Sequence, residues 1–526
     1  MPPLHDALRR ELEKTVIKAR DAAEKGAAEA IKRLAVADRD TSKAHLSDED
    51  GALRNRLRAR ARQLGDRRDE RAGTQATGKL AREVAYEAWH RMLFARFLAE
   101  NRLLIHPELG VAVSLDECEE LAAELGTGDD GWDLASRYAA RMLPEIFRPD
   151  DPVLQVRLAP EHQRDLERLL AGLAPEAFRA DDALGWVYQF WQSAEKKRVN
   201  ESGEKITGET LPAVTQLFTE PYMVSFLLEN TVGAWWAGRH PGAEPPVPMP
   251  YLRRLNDGRT PAAGTFGGWP QGPNAWREFT LLDPCCGSGH FLVAALRLIA
   301  PLRMHDEGLG AREAVDACLR ENLHGLELDA RCTQIAAFAV ALGAWTYPGA
   351  GGYRALPELH VACSGTPVGG QQEEWTALAR GDVRAEAAIR QLHNLFSKEP
   401  QLGSLINPAQ AVRRHLWSAG YDEIAGLVAR ESRDGDDTPD AEATLISAKG
   451  VLYATQLLAR TYTVVATNVP YLARGRQGQA LRDHCEAVFP LGKHDLATAF
   501  LLRGLELTTD AGTVALVTPQ AWLYLS

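Results

Sequence analysis

Apolar positions recur at helical spacing through the first third of the chain and as short, continuous runs in its second half. Two architectures are therefore expected in succession. Residues 1 to about 40 read as a helix of alternating charge, and Asp38 to Asp50 as a polar, mobile link. From Gly78 to Leu104, Leu80, Val84, Ala85, Ala88, Trp89, Met92, Leu93, Phe97 and Leu98 fall on one helical face. More helices are predicted to about Phe190, broken at His106-Pro107, at Arg148-Pro149-Asp150-Asp151-Pro152 and at Pro175, where proline removes a backbone donor. An aromatic cluster follows (Trp186, Tyr188, Phe190, Trp191), then a polar stretch from Lys196 to Thr210 and a helix through Phe226, Leu227 and Leu228. Gly and Pro crowd the segment from Ala237 to Trp276, which reads as a loop.

Beyond that loop, strand-like runs alternate with helices. The strands are Phe279 to Leu282, Leu323 to Asp329, Leu359 to Ser364, Tyr462 to Thr467 and Thr513 to Thr518. Between them lie helices at Phe291 to Ile299, Ala311 to Glu321, Ala330 to Trp345 and Asp495 to Leu507. A polar, helical insertion occupies 366–450, with Glu431 to Glu442 expected to be disordered. This alternation predicts an α/β fold with a parallel sheet behind a large α-helical N-terminal domain. The domains are expected at 1–200 and 201–526, the second carrying the 237–276 loop and the 366–450 insertion.

Composition narrows the class without naming it. The 526 residues are 45% hydrophobic and 25% charged, with room for two or three domains. No apolar run approaches the ~18 residues of a membrane span, and Met1 to Arg33 lacks an apolar signal core. Seven cysteines without a Cys-x-x-Cys pair argue for a reducing cytoplasm and against zinc on thiolates, so no metal is expected. Adjacent Cys285 and Cys286 read as small packing residues. The net charge of −11 does not attract a polyanion by itself. Two basic stretches could: Arg54, Arg56, Arg58, Arg60, Arg62, Arg67, Arg68 and Arg71, and Lys196-Lys197-Arg198 with Lys205. A solvated helical face is the default reading of each.

The chemistry gathers at strand ends. The first strand runs into Asp283-Pro284-Cys285-Cys286-Gly287-Ser288-Gly289, a glycine turn that opens a helix. Such a turn brings bare backbone and unpaired N–H groups to a ligand. The second strand closes on Glu327 and Asp329, where an acidic group can accept ribose hydroxyls. Glu327 lies about twice as far from Asp283 as the usual ~20 positions, the excess being the helix from Ala311 to Glu321. The fourth strand ends in Asn468-Val469-Pro470-Tyr471.

That last motif resembles the Asn-Pro-Pro-Tyr signature of adenine-N6 methyltransferases, with Val469 in place of the first proline. With Asp-Pro-x-Cys-Gly-Ser-Gly-x-Phe upstream, the chain resembles class I S-adenosylmethionine-dependent methyltransferases with a Rossmann-like sheet. Thr215-Gln216-Leu217-Phe218-Thr219 before a helix looks like the segment that closes over the cofactor's methionine end in the BREX and DISARM phage-defence methylases and in fused restriction–methylation enzymes. Gly185 to Gln189, the helix from Trp89 to Leu104 and Gly403 to Ile406 resemble the defence proteins in particular. Helix capping is the alternative reading of Thr215 and Thr219.

The resemblance implies a site-specific DNA adenine-N6 methyltransferase (EC 2.1.1.72) that marks host DNA in a phage-defence or restriction-modification system. It would be a bacterial, cytoplasmic, nucleoid-associated enzyme with double-stranded DNA and other defence proteins as partners. S-adenosyl-L-methionine would rest on Asp283, Pro284, Cys286, Gly287 and Gly289, with its ribose on Glu327 and its adenine near Asp329, under Thr215, Phe218 and Thr219. A flipped adenine would stack on Tyr471 and donate its amino hydrogens to the Asn468 side chain and the Val469 carbonyl, beside Pro470. Where many relatives end the third strand in an aspartate, this chain has Cys363, Ser364 and Gly365. The resemblance also implies a last hairpin and a target-recognition domain beyond Ser526, so the sequence is expected to be truncated and its sheet incomplete. A silent subunit that binds cofactor and DNA, or a methyltransferase acting on RNA or protein glutamine, remain the alternatives.

Overall fold

A computed structural model describes residues 4–39, 46–126, 130–147, 151–208, 210–215, 218–366, 368, 371–379, 381–398, 402–408, 426 and 439–520. The segment expected to be disordered lies outside the described residues over 431–438, as does part of the second proline break, at 148–150. The chain divides into two compact units. One comprises Met1–Ser193, Pro367–Ser397 and Trp417–Lys449; the other comprises Ala194–Thr366, Lys398–Leu416 and Gly450–Ser526. The 366–450 insertion is thus shared between them.

The first unit is almost wholly helical. The long helix Asp6–Arg33 buries Leu12, Val16, Ala19, Ala23 and Ala27, every third or fourth residue, as the 3.6-residue turn requires. It packs on Gly78–Glu100, whose Trp89 stacks near Trp191 at 6.1 Å between ring centres. The expected link at Asp38–Asp50 is shorter than predicted, because Ser47 caps the N–H of Asp50 and starts a helix, Asp48–Gln63. The arginine run is not one solvated face: Arg67, Arg68 and Arg71 are exposed, but two of its members turn inward. Arg54 and Arg58 are buried and donate to the carbonyls of Ala35, Val36, Asp38, Arg39 and Gly73. They satisfy a turn whose own carbonyls have no ladder to join.

The second unit holds five parallel strands: β1 Leu281–Asp283, β2 Leu323–Glu327, β3 Val361–Cys363, β4 Tyr462–Asn468 and β5 Thr508–Val517. Their order is β3-β2-β1-β4-β5. Every residue of β1 and β2 is buried, as is β4 up to Asn468, which is why these strands read as continuous apolar runs. β5 begins five residues earlier than expected, through an exposed irregularity between the pairs Tyr462↔Thr508 and Val464↔Thr513. Helices His290–Glu307 and Ala330–Trp345 pack on the sheet around Phe291, Leu292, Leu296, Ala336 and Val340. The chain leaves β1 toward β2 and β3 on one side and places β4 and β5 on the other. That reversal makes the carboxyl ends of β1 and β4 the crevice where open parallel sheets take ligands.

Candidate functional site

At the end of β1, Asp283 turns back to accept the N–H of Cys285 at 3.1 Å, and the chain drops into the glycine turn. Gly287 and Gly289 have φ of +54° and +82°, a region side-chain-bearing residues avoid. A Cβ on Gly289 would also stand 3.0 Å from the backbone of Ala336. One on Gly287 would meet nothing within 4 Å, so that side of the turn is open. Cys286 donates its N–H to Leu326 of β2 at 2.9 Å, sewing the turn to the neighbouring strand. Its thiol and that of Cys285 are held well above their ordinary pKa, first by burial and then by the nearby Asp283 and Glu327 carboxyls. They are packing groups rather than nucleophiles.

Glu327 ends β2 directly beside the turn. One of its carboxyl oxygens accepts the Gly287 N–H at 2.9 Å; the other accepts those of Leu328 at 2.8 Å and Asp329 at 3.1 Å. Burial pushes its pKa up to about 7, against the pull of those donors. Asp283 is likewise pushed up to about 7 by burial, with Glu327 adding to the rise while Thr467 and the Cys285 N–H oppose it. Although the Thr467 hydroxyl stands beside it, Asp283 Oδ2 completes no hydrogen bond of good geometry. Asp329, two residues on, caps the helix Ala330–Trp345 through the Arg331 N–H and also holds the Arg331 guanidinium at 2.9 Å. β3 ends against the same loop, Ser364 donating its N–H and its hydroxyl to the Glu327 carbonyl at 2.7 and 3.1 Å.

Across the crevice, β4 delivers Asn468. Its Nδ2 donates to Thr219 Oγ1 at 2.9 Å, and Tyr471 donates its hydroxyl to Asn468 Oδ1 at 2.7 Å. The same hydroxyl lies 3.1 Å from the Val517 carbonyl at the end of β5. Val469 is buried, and the Tyr471 ring is half-buried. Thr219 therefore does not cap a helix: the helix Pro221–Leu228 starts behind it at Glu220. Thr215 instead bonds back to the Leu211 carbonyl inside its own short helix. Phe218 rests on His290 at 4.8 Å between ring centres, so this segment adjoins the helix that leaves the glycine turn. Gln216 and Leu217 lie outside the described residues.

Two supports of the site, Thr467 and Arg503, were not singled out in the sequence, and a third, the Gly403–Ser404 turn, stood out only by its likeness to the defence proteins. Thr467 stands beside Asp283. Ser404 donates its hydroxyl to the Pro284 carbonyl at 2.6 Å, and Gly403 brings a positive φ of +50° against Leu328. Arg503, 1% exposed, donates to the carbonyls of Ser404, Ile406 and Leu458 and pairs with Glu506 at 2.9 Å. In sequence Arg503 is an ordinary basic residue near a helix C-terminus. Its only signal is its place in the otherwise apolar stretch from Leu496 to Leu505.

Among known proteins, no family model matches the chain. It is 24% identical over 503 residues to an adenine-specific methyltransferase, PglX, of Lacticaseibacillus casei (strain Zhang), covering 86% of this chain and 41% of that protein. It is 25% identical over 512 residues to the adenine-specific methyltransferase BrxX of Escherichia coli O9:H4 (strain HS), covering 87% and 41%. Looser likeness, at 12% identity, extends to two solved structures. One is a DrdV–DNA complex (TM-score 0.46, 99% of this chain and 36% of that one). The other is the ATP-dependent Type ISP restriction-modification enzyme LlaBIII bound to DNA (TM-score 0.39, 99% and 25%). The chain spans about two fifths of the length of the curated relatives it matches, and those relatives are named adenine-specific methyltransferases.

Proposed function

We propose that the chain carries the cofactor-binding and catalytic core of a DNA adenine-N6 methyltransferase of the phage-defence kind, on a Rossmann-like class I methyltransferase sheet. One observation carries the reading. Asn468, Thr219 and Tyr471 form a single hydrogen-bonded set across the β1–β4 crevice from a glycine turn held by Glu327. The names of the relatives supply the reaction class.

The residues fit S-adenosylmethionine. Gly287 leaves open space where a Cβ would stand, and Asp283 keeps a buried oxygen without a well-formed hydrogen bond at the same strand end. A carboxylate offers about four acceptor positions, of which Glu327 uses three, leaving it one to offer a ribose hydroxyl. Pro284, Cys286, Gly289 and Asp329 complete the floor, with Thr215, Phe218 and Thr219 closing over it. When bound, S-adenosylmethionine supplies an electrophilic methyl group. Everything else falls to the chain. Thr219 fixes the Asn468 amide so that Oδ1, not Nδ2, faces the Tyr471 side. The Tyr471 hydroxyl has one proton and two acceptors, so it can yield Asn468 Oδ1 to an adenine N–H and keep the Val517 carbonyl. The Val469 carbonyl accepts the second N–H, which needs only backbone, so a valine can stand where proline usually does. Held by both, the amino nitrogen directs its lone pair toward the methyl group, and positioning lowers the barrier. Pro470 stiffens the turn between the Val469 carbonyl and Tyr471.

The test is transfer of label from S-adenosylmethionine to bacterial DNA, with the modified base identified by mass spectrometry. Label in N6-methyladenine is expected, falling at least a hundredfold in Asn468→Ala, in line with the loss of one transition-state donor or acceptor. Cofactor binding without label would point to a silent subunit, and label in RNA or protein to a different substrate; either result rejects the proposal.

A further inference from the structure

At the opposite end of the helix that leaves the glycine turn stands a cluster the reaction does not use: His240, His305 and Asp306. His305 and Asp306 close the helix His290–Glu307, and His240 follows the last residue of the helix Ala234–Arg239. Asp306 is about 24 Å along the axis from His290, at 1.5 Å per residue. His305 Nδ1 lies 2.9 Å and His240 Nε2 3.1 Å from the same oxygen, Asp306 Oδ1. The Trp236 indole also donates to that oxygen at 3.0 Å.

Proton counting makes this arrangement unusual. His240 Nδ1 is 2.9 Å from the Trp236 carbonyl, which can only accept, so that nitrogen must carry the hydrogen. Nε2 stands 3.1 Å from Asp306 Oδ1 without completing a hydrogen bond to it. A metal ion at Nε2 suits this arrangement, since a neutral imidazole binds metal through one nitrogen while the other donates to a carbonyl. The carboxyl oxygen would exchange the His305 contact for the cation and keep the Trp236 indole. Ligands at the 2.0–2.2 Å of tetrahedral zinc coordination sit about 3.4 Å apart; both histidine nitrogens lie slightly nearer than that to Asp306 Oδ1, and the three ligand atoms all fall within 4.8 Å of one another. The other carboxyl oxygen is already held by the Trp276 indole at 2.9 Å, with the Arg239 guanidinium at 3.6 Å. Arg239 leans on the Trp235 ring and addresses that second oxygen, so the cation falls to Oδ1.

From this geometry we propose that His240, His305 and Asp306 bind one divalent transition metal ion of the zinc class. Two imidazoles and a carboxylate suit zinc, cobalt or nickel rather than the all-oxygen preference of magnesium or calcium. Solvent reaches the site through His305, 44% exposed, so water completes the coordination. Its place at the far ends of two helices makes the ion a structural clamp. It pins the helix bearing Trp235 and Trp236 to the helix that starts at the glycine turn.

The test uses the chain stripped with a chelator, titrated with ZnCl2 in a calorimeter and with CoCl2 in a spectrophotometer. One zinc per chain is expected, with a raised thermal midpoint and cobalt d–d bands of a nitrogen–oxygen site. His305→Ala, at a half-exposed position, should weaken zinc about tenfold or more, and His240→Gln likewise. His162→Ala, in the exposed Glu29–Glu161–His162 group, should leave binding unchanged. Absence of zinc binding by the unaltered chain would overturn the proposal. So would wild-type affinity in both His240→Gln and His305→Ala, or a thiolate-to-cobalt charge-transfer band.

Discussion

Two carboxyls meet under the glycine turn, and their burial makes stability depend on pH in an uncommon direction. Asp283 and Glu327 are both pushed up to about 7, chiefly by burial, from ordinary values near 4. Between pH 4 and 7 the folded chain therefore holds protons that the unfolded chain has released. Folding is favoured by protonation in that window, and the contribution is lost as pH rises through about 7. The thermal midpoint without cofactor is expected to rise as pH is lowered from 8 to 6, and Asp283→Asn should flatten that slope. A midpoint independent of pH across this range would show that the two groups stay ionised in the fold. At Gly289 the effect is steric. An alanine there must hold φ near +82° with its Cβ 3.0 Å from Ala336, which costs on the order of 1–3 kcal/mol. Gly289→Ala should lose that much by urea unfolding and also lose S-adenosylmethionine binding, whereas Gly272→Ala, in a remote loop at φ +79°, should lose stability alone.

At the level of elements, the sheet end is held by a buried arginine. Replacing it as Arg503→Met leaves the carbonyls of Ser404, Ile406 and Leu458 without that donor in a dry setting, and Glu506 with only the Asn407 amide. Breaking a buried charged network of this kind costs about 3–5 kcal/mol. By contrast, Arg476→Ala, at an exposed position, should stay within about 0.5 kcal/mol in the same denaturant titration. How much of such a framework can be read in advance depends on range. β1, β2 and β4 were legible because strands covered on both faces carry unbroken apolar runs. Their ends were less so: β2 stops at Glu327 because Asp329 starts a helix, a capping event the apolar pattern does not carry. The extension of β5 through Thr508 to Gly512 was hidden because those residues are mostly exposed. Arg54 and Arg58 announced themselves as charge, but their carbonyl partners lie 15 or more residues away. In the candidate site, the glycine turn and Glu327 followed from local pattern. The pairing of Asn468 with Thr219 spans 249 positions, and only the family resemblance brought those two segments together.

Over the whole molecule the net charge is −11, so any affinity for DNA must come from a local basic face rather than from the total. The stretch from Lys196 to Lys205 is placed for that. Ile206 exchanges backbone hydrogen bonds with Arg476 and Gly478, Lys205 donates to the Gly475 carbonyl, and Arg476 donates to Asn200. These contacts tie the basic stretch to the loop that follows Tyr471. Arg198 is engaged by Glu195 and Lys197 lies 4.0 Å from Glu201, pairs so exposed that phosphate can compete for them. Each phosphate a lysine neutralises adds about 0.9 to the slope of log affinity against log salt. If the proposed DNA substrate lies on this face, Lys196→Glu/Lys197→Glu should lower that slope by about 2, weaken DNA at every sequence alike and leave S-adenosylmethionine affinity unchanged. Fluorescence anisotropy across a salt series reads the first two, and calorimetric titration of the cofactor reads the third. An unchanged slope would move the DNA path away from this segment while leaving the proposed chemistry of Asn468 in place, because the two rest on different atoms.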